Sequence, residues 1–512
     1  MSNNWNNGYI TDINYTFGYY EELNPLRIKI AFLNNNIAFP EIGNACELGF
    51  GQGLSSSIHA CASVVNWYGT DFNSAQTLFA TDLVKVAASN AKFYDDSFAE
   101  FCNRDDLPNF DYIALHGIWS WISPENQSII VDFIRRKLNV GGVLYISYNT
   151  QPGWAPMVPM RELMAQYYSV YSQKSKTVVE RIDDSLDFID KLFATDPSFV
   201  KNNPSIMSKI NGIKEQNRNY LAHEYFNKDW HPVSFEKMSE LLSSAKLSYV
   251  CSANFLDHID ALNLTPEQKE LLDGISDINF KQSVRDFILN QQFRKDYWVK
   301  GSKKLNAYTQ FECFTEQRVI LIMPKSDISL KVSCPIGDAT MSEAIYLPIL
   351  DFLSDYKIKS IAQIEQYVSS KGIDYSKLIE VIIVLLGNKT ITAVQSDDAI
   401  HKAKKVTDKL NIYLMKFARS SNEIGYLASP VTGGGYPLDR FQQLFLLFYL
   451  QGCKTTDALV TNVWQVLATQ KQKIVKDGKV LESDRENIAD LTLRAEEFLK
   501  SYLPIAKALQ II

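Results

Sequence analysis

Residues 44–63 read NACELGFGQGLSSSIHACAS, and the order of elements in this stretch constrains the fold more than any other part of the chain. "NACEL" is a short run that can end a buried strand. Gly49, Gly51 and Gly53 come next at alternate positions, and "LSSSIHACASVV" then carries apolar residues at helical spacing. A strand feeding a helix through a glycine turn exposes the free N–H groups and partial positive charge of the helix N-terminus. Glycines remove the Cβ atoms that would keep a ligand from that backbone. Taken alone, three glycines fit a tight turn as well as a ligand cradle, and the residues downstream of them weigh between the two.

Four further strand-like segments lie beyond this helix. "NWYGTDFN" ends in Asp71, eighteen residues beyond Gly53, where a carboxylate suits the two hydroxyls of a ribose. "AKFYDDSFAEF" puts Asp95 and Asp96 at a strand end, and "FDYIALHGIWSWIS" runs into a loop with His116, Trp119 and Trp121. "GGVLYISYNT" starts at the Gly141-Gly142 turn. Helical stretches separate most of these strands, which predicts an α/β fold with a doubly wound, mostly parallel sheet whose strand ends share one edge. Ligands of such sheets sit at that edge.

The pattern E-L-G-x-G-x-G, from Glu47 to Gly53, with Asp71 and Asp96 beyond it, resembles the class I S-adenosylmethionine-dependent methyltransferases. A dinucleotide-binding loop would place its third glycine at residue 54, which is Leu54, so an NAD-dependent oxidoreductase is disfavoured. The resemblance implies S-adenosylmethionine as cofactor and a Rossmann-like core whose last strand is antiparallel. Gly49, Gly51 and Gly53 would lie against its methionyl part, Asp71 would hold the ribose, and Asp96 with Ser97 and Phe98 would meet the adenine, with Glu47 and Phe72 also among the cofactor-binding residues. His116 and Tyr20 join the expected cofactor contacts.

"HGIWSWIS" and "SYNTQPGW" look like the loops after the fourth and fifth strands in methyltransferases with a methyltransferase regulatory domain, a group that includes bacterial protein-lysine methyltransferases of the kind found in Rickettsia. "NYLAHEYF" matches the Y-L-x-H-E-Y opening of that domain, and "VRDFILNQQFRKDYWVKG" its D-F and F-R elements. The opening "YTFGYYEELNPLRIKIAFL" departs from the Y-x-x-x-P-Y start of the lysine-modifying members, which leaves the acceptor open: protein lysine, a glycan or a small metabolite. Tyr148, Asn149, Trp121 and His116 are the expected catalytic positions, and Trp119, Trp154, His223 and Glu224 the acceptor pocket. A glutamate suits an amine that must be positioned and deprotonated. Aromatic faces attract a cationic methyl group. Tyr15, Tyr19 and Tyr20 form an expected lid.

At 512 residues the chain exceeds one ordinary core. The expected divisions are a lid at 1–30, a cofactor-binding core at 31–155, a helical insertion at 156–219, a regulatory region at 220–301, a winged-helix-like domain at 302–395 and a helical domain at 396–512. The insertion carries Val178, Ile182, Leu186 and Ile189 at helical spacing, a stripe that packs on the core or pairs two copies as a homodimer. In the winged-helix-like stretch, "YSKLIEVIIVLLGNK" is too apolar for a DNA-reading helix. Gly433, Gly434 and Gly435 could contact a phosphate, but no P-loop lysine comes after them and a flexible turn is expected.

A net charge of −6 disfavours nucleic acid. No apolar run is long enough for a membrane span. The N-terminus lacks a signal-peptide pattern, and seven cysteines without paired spacing point to a reducing, cytoplasmic setting. No metal-ligand spacing is present. Two classes therefore compete: a methyltransferase and a non-catalytic scaffold binding partners through its C-terminal modules.

Overall fold

The computed structural model describes residues 16–173 and 175–512. Tyr15 of the expected lid lies outside them. Seven strands form one sheet: β1 (Asn44–Leu48), β2 (Asn66–Thr70), β3 (Lys92–Tyr94), β4 (Phe110–Leu115), β5 (Leu138–Asn149), β6 (Leu247–Ser252) and β7 (Phe293–Lys300). Their order is 3-2-1-4-5-7-6, and β7 is inserted antiparallel between β5 and β6. "RKDYWVK" lies in this reversed strand, which is the antiparallel last strand that the resemblance implies. The sheet is the class I methyltransferase sheet, and its order switches direction between β1 and β4, where the glycine turn leaves β1.

The sheet is covered on both faces, which is why β1 and the last eight residues of β5 read as nearly unbroken buried runs. One face carries α1 (Pro25–Asn34), α2 (Leu54–Ala62) and α3 (Ser74–Ala87); Ile28 and Phe32 join Trp67, Tyr112 and Tyr145 in its core. The other carries α4 (Phe98–Cys102) and α5 (Pro124–Lys137), with Phe101, Phe133 and Ile134 packed among Leu48, Ile113 and Ile146.

After β5 the chain forms a lobe from α6 (Val158–Val170), α7 (Val178–Phe193), α8 (Ser198–Asn202), α9 (Ser205–Lys214) and α10 (Arg218–Tyr225). Ile182, Leu186 and Ile189 of α7 are buried inside this lobe, against α6 and α10. The division expected at 219–220 falls within α10, because Leu221, Tyr225 and Phe226 belong to the lobe's core. The chain then returns through α11 (Phe235–Ser243) to β6. It continues through α12 (Asp260–Asn263), α13 (Pro266–Asp273) and α14 (Ile278–Leu289) to β7.

The segment beyond residue 302 contains α15 (Ala307–Thr315), β8 (Arg318–Leu321), β9 (Lys331–Cys334), β10 (Gly337–Thr340), α16 (Glu343–Leu353), β11 (Lys359–Ser360), α17 (Ile361–Ser369), α18 (Tyr375–Gly387) and β12 (Ile391–Val394). The three helices arise as expected, but the strand pair after them does not. A single strand, β12, comes after α18, and its partner is β8, giving the order β11-β8-β12. The apolar α18 is buried along Val381–Leu386. The last part contains α19 (Asp397–Phe417), the hairpin β13 (Tyr426–Ser429) and β14 (Gly434–Pro437), and α20 (Arg440–Leu450).

These C-terminal segments do not have cores of their own. Residues of β8, α16, α17 and α18 share one cluster with Trp67, Tyr112 and Tyr145, and Leu410 and Leu414 of α19 share another with Leu54, Ile58 and Leu83. α19 packs on α2 and α3. All nine residues of α2 are buried as a result. Each large apolar side chain so covered contributes about 1.5–3 kcal/mol. Deleting residues 396–512 therefore exposes an apolar helix beside the glycine turn, and the shortened protein is expected in the insoluble fraction, which expression and sedimentation will read directly.

Among the described residues no helix is long and apolar enough to cross a membrane, and no group of three or more His, Cys, Asp or Glu could hold a metal ion.

Candidate active site

The site grows from the turn after β1. Gly49, Gly51 and Gly53 all have positive φ, at +72°, +60° and +68°. At Gly49 a Cβ would also lie 2.7 Å from Ile118 Cγ2, and at Gly53 it would lie 2.5 Å from Ala80 Cβ. The turn is therefore closed to other residues both by backbone conformation and by space. Gly49 N–H donates to Thr70 O at 2.8 Å, which ties the turn to the end of β2.

Asp71 stands directly after β2, buried, with its carboxylate turned toward the glycine turn. Gly51 N–H donates to Oδ2 at 2.9 Å, and Asn73 N–H donates to Oδ1 at 3.0 Å. Burial pushes its pKa up to about 7, against the pull of those two donors. Glu47, at the end of β1, accepts a hydrogen bond from the Ser56 hydroxyl, and burial raises it to about 7 as well. Two carboxyls poised near neutrality thus flank one glycine turn.

Asp96 and Ser97 sit at the same edge, after β3. Asp96 is ion-paired with Arg104 at 2.9 Å, and its carbonyl accepts from the Thr70 hydroxyl at 2.5 Å. Ser97 caps α4 in a reciprocal capping box with Glu100. Phe72 and Phe98 are half-buried beside them.

His116 comes directly after β4. Its ring stacks on Tyr20 with centroids 3.5 Å apart and planes 24° apart, and Nδ1 is hydrogen-bonded to the Tyr145 hydroxyl at 2.8 Å. Burial lowers its pKa to about 4, so the imidazole is neutral at pH 7. Tyr20 is pinned through its backbone to α2: its N–H donates to Ser55 Oγ at 3.1 Å, and His59 Nε2 donates to its carbonyl at 3.0 Å. The charges of Glu47, Glu22 and Glu224 all bear on the Tyr20 phenol. Glu224, on α10, is raised to about 7 by burial. Trp121 fastens that helix to the loop after β4, its Nε1–H donating to the Glu224 carbonyl at 3.2 Å.

Asn149 ends β5. Its N–H donates to Ser120 Oγ at 2.8 Å, and its carbonyl accepts from Val233 N–H at 3.0 Å. Strand alternation puts it on the sheet face of Tyr145 and Ser147, the face that His116 lies against.

Other expected site residues are elsewhere. Tyr148 points to the opposite face, is fully buried, and donates to Asp296 Oδ2 at 2.8 Å beside the Arg294–Asp286 pair. It is a structural group, because its hydroxyl is committed to a buried ion network. Tyr148→Phe is expected to lower the urea midpoint by the loss of a hydrogen bond to a charged acceptor, about 1.5–3 kcal/mol, and to leave kcat unchanged. Trp119 is 1% exposed and packs with Leu48 and Phe133, so it is core and not acceptor pocket. Trp154 packs edge-on to Trp230, at 5.3 Å, and against the lobe cluster. His223 is buried on α10, its carbonyl accepting from Asn227 Nδ2 at 2.6 Å.

Sequence reasoning missed the ion pair between Glu22 and Lys295, which line a cavity together with Tyr19 and Tyr20. Burial works against ionising Glu22, but the Lys295 ammonium outweighs it and holds the carboxyl at about 2. No spacing rule links residues 273 apart. It also missed His59, for which there was a signal: the lone imidazole on a helix otherwise made of small and apolar residues.

Comparison with known proteins gives the same outline. A family model described as "Predicted methyltransferase regulatory domain" matches residues 217–300, from just before α10 to the end of β7. The uncharacterized protein sll1526 of Synechocystis is 37% identical over 512 residues, covering 99% of both chains. The chain belongs to the class I methyltransferases with a methyltransferase regulatory domain. The uncharacterized protein RP789 of Rickettsia prowazekii is 22% identical over 504 residues, covering 91% of this chain and 87% of that protein. Among solved structures, PKMT2 from Rickettsia typhi in complex with AdoHcy superposes with a TM-score of 0.70 at 18% identity, covering 96% of this chain and 99% of that one. The likeness to PKMT2 extends through the C-terminal segments of the methyltransferase, so they are part of the shared fold.

Proposed function

We propose that this methyltransferase binds S-adenosylmethionine at the glycine turn and transfers its methyl group to a protein lysine. The observation that carries the reading is the gathering, at the carboxyl edge of the sheet, of the three-glycine turn, Asp71 accepting from Gly51 N–H, Glu47, and Tyr20 stacked on His116. Glu224 of α10 is assigned as the acceptor carboxylate because its charge bears on the Tyr20 phenol. The residues fit the cofactor. Asp71 takes one backbone N–H on each oxygen, and the remaining lone pairs suit ribose hydroxyls. Glu47 suits the ammonium of the methionyl part, and Asp96 with Phe72 and Phe98 suits the adenine. When bound, the sulfonium supplies an electrophilic methyl group.

The protein's own work is alignment and exclusion of water. Tyr20 and His116 form a dry aromatic wall, and a neutral imidazole adds no positive charge to repel the cofactor. Glu224, poised near pH 7, accepts a proton from the acceptor ammonium at its carboxylate oxygen and leaves the amine lone pair free to attack. Asn149, on the same face of β5 as Tyr145 and Ser147, is assigned the task of orienting that amine. PKMT2 of Rickettsia typhi, whose fold this chain shares, adds support for methyl transfer. Pairing of two copies through the helical lobe belongs to the same reading. It rests on the exposed Val170 and Tyr171 at the end of α6, and a monomer at every concentration in sedimentation removes it.

The deciding experiment incubates the protein with methyl-labelled S-adenosylmethionine and a fractionated bacterial lysate. Label in protein, mapped to lysine by mass spectrometry, is the expected result. Label confined to glycans or small metabolites refutes the lysine assignment, and absence of S-adenosylhomocysteine binding in calorimetry leaves only the scaffold reading.

A further inference from the structure

Gly433, Gly434 and Gly435 do not form the flexible turn that three glycines in a row lead one to expect. Only Gly433 has a left-handed φ, at +64°; Gly434 and Gly435 are strand residues of β14, paired with Ser429 and Ala428 of β13. Glycine weakens a strand interior and marks a place where something approaches the backbone closely. Here it is Tyr19. A Cβ on Gly434 would lie 2.3 Å from the Tyr19 hydroxyl oxygen and 2.9 Å from Asn24 Nδ2, and a Cβ on Gly435 would lie 3.0 Å from the Tyr19 ring. The ring rests in a slot with β14 as its floor and with Tyr426 and His59 as walls, each centroid 5.0 Å away.

The segment is held again five residues on, where Asn24 Nδ2 donates to Thr432 O at 2.9 Å across 408 residues of chain. Tyr20 is the next residue after Tyr19 and is extended, with φ −119° and ψ 101°. Consecutive side chains in extended backbone point to opposite sides. Seating Tyr19 in the hairpin therefore turns Tyr20 the other way, onto His116. The hairpin, the seated tyrosine and the Tyr20–His116 pair are thus joined through the Tyr19–Tyr20 backbone.

We propose that the β13–β14 hairpin positions the aromatic wall of the cofactor crevice, with Gly434 and Tyr19 as positioning residues that act through Tyr20. This rests on the assignment of the cofactor to the glycine turn. It gives the C-terminal hairpin a task in methyl transfer beyond covering α2: displacement of the hairpin unseats Tyr19 and loosens the crevice some distance away.

The test is the affinity for S-adenosylhomocysteine by calorimetry on the full chain. Gly434→Ala is expected to raise Kd about fivefold to tenfold, the size of a lost aromatic contact. Tyr19→Phe, which removes the oxygen that the new Cβ would meet, is expected to restore most of that loss in the double variant. In a Tyr20→Ala background, Gly434→Ala is expected to add nothing, because the residue through which it acts is gone. A general destabilisation would persist in that background and would ignore the missing hydroxyl. Should Gly434→Ala not fold, Tyr19→Ala empties the slot without touching the hairpin backbone and carries the same comparison. Unchanged affinity in these variants, or an equal loss with and without Tyr20, overturns the proposal while leaving the cofactor assignment standing. A wild-type protein that does not bind S-adenosylhomocysteine overturns both.

Discussion

Glu224→Gln is expected to lower kcat by about a hundredfold to a thousandfold, within the range that a positioned general base supplies, while leaving cofactor affinity near the wild-type value. The amide keeps the shape of the side chain but cannot take the acceptor's proton. The pH profile carries the same argument. Burial raises the Glu224 carboxyl from its usual 4.5 to about 7, so it is protonated and inactive as a base below that pH and ionised above it. For the wild type, kcat at saturating cofactor should climb as pH rises through about 7. The climb should be absent in the glutamine variant. Glu47 and Asp71 ionise in the same window, but they bear on cofactor binding, and saturating cofactor removes their share.

Stability moves the opposite way. A carboxyl whose folded pKa is raised contributes most while it is protonated, and that contribution is lost as pH rises through the folded value. Glutamine mimics the protonated form, so the variant should outlast the wild type in urea at pH 8 and match it only below the ordinary carboxyl value of 4.5. A wild-type kcat indifferent to the substitution would remove Glu224 from the chemistry.

Asp71→Ala should raise the Kd for S-adenosylhomocysteine about tenfold to a hundredfold, as expected for hydrogen bonds from ribose hydroxyls to a charged acceptor. The loss has a second component. Gly51 and Asn73 N–H donate to this carboxylate, and a methyl group leaves both without their acceptor at about 1–3 kcal/mol each. The urea midpoint should therefore fall together with affinity. Asp71→Asn, which retains one acceptor oxygen, should lie between the two. Unchanged affinity in Asp71→Ala, measured by calorimetry, would refute the ribose assignment and leave Asp71 only as a brace for the turn.

Much of the framework was legible in the order of residues, because its causes are local. Positive φ at alternate residues selects glycine, a strand buried on both faces reads as an apolar run, and β–α alternation admits few topologies. These rules are enough to place Gly49, Asp71, Asp96 and His116 at one edge of a sheet. They also yield the buried, apolar character of α18, whereas the reversed strand at Phe293–Lys300 was an expectation of the family resemblance.

What the tertiary structure alone decided was where each side chain at that edge points and what it touches. Tyr148 and Asn149 are neighbours in sequence, yet alternation commits one to the Arg294–Asp296 network and turns the other to the opposite face, with Tyr145 and Ser147. Trp119 and Trp121, two residues apart, divide between the core and the fastening of α10. Glu22 meets Lys295, and the glycines of β14 admit Tyr19, across separations at which no periodicity speaks. A local pattern records the conformation a segment adopts, because backbone sterics act within a few residues. Partners brought together by chain closure leave no such trace, because their energies depend on a geometry that exists only once every layer has packed.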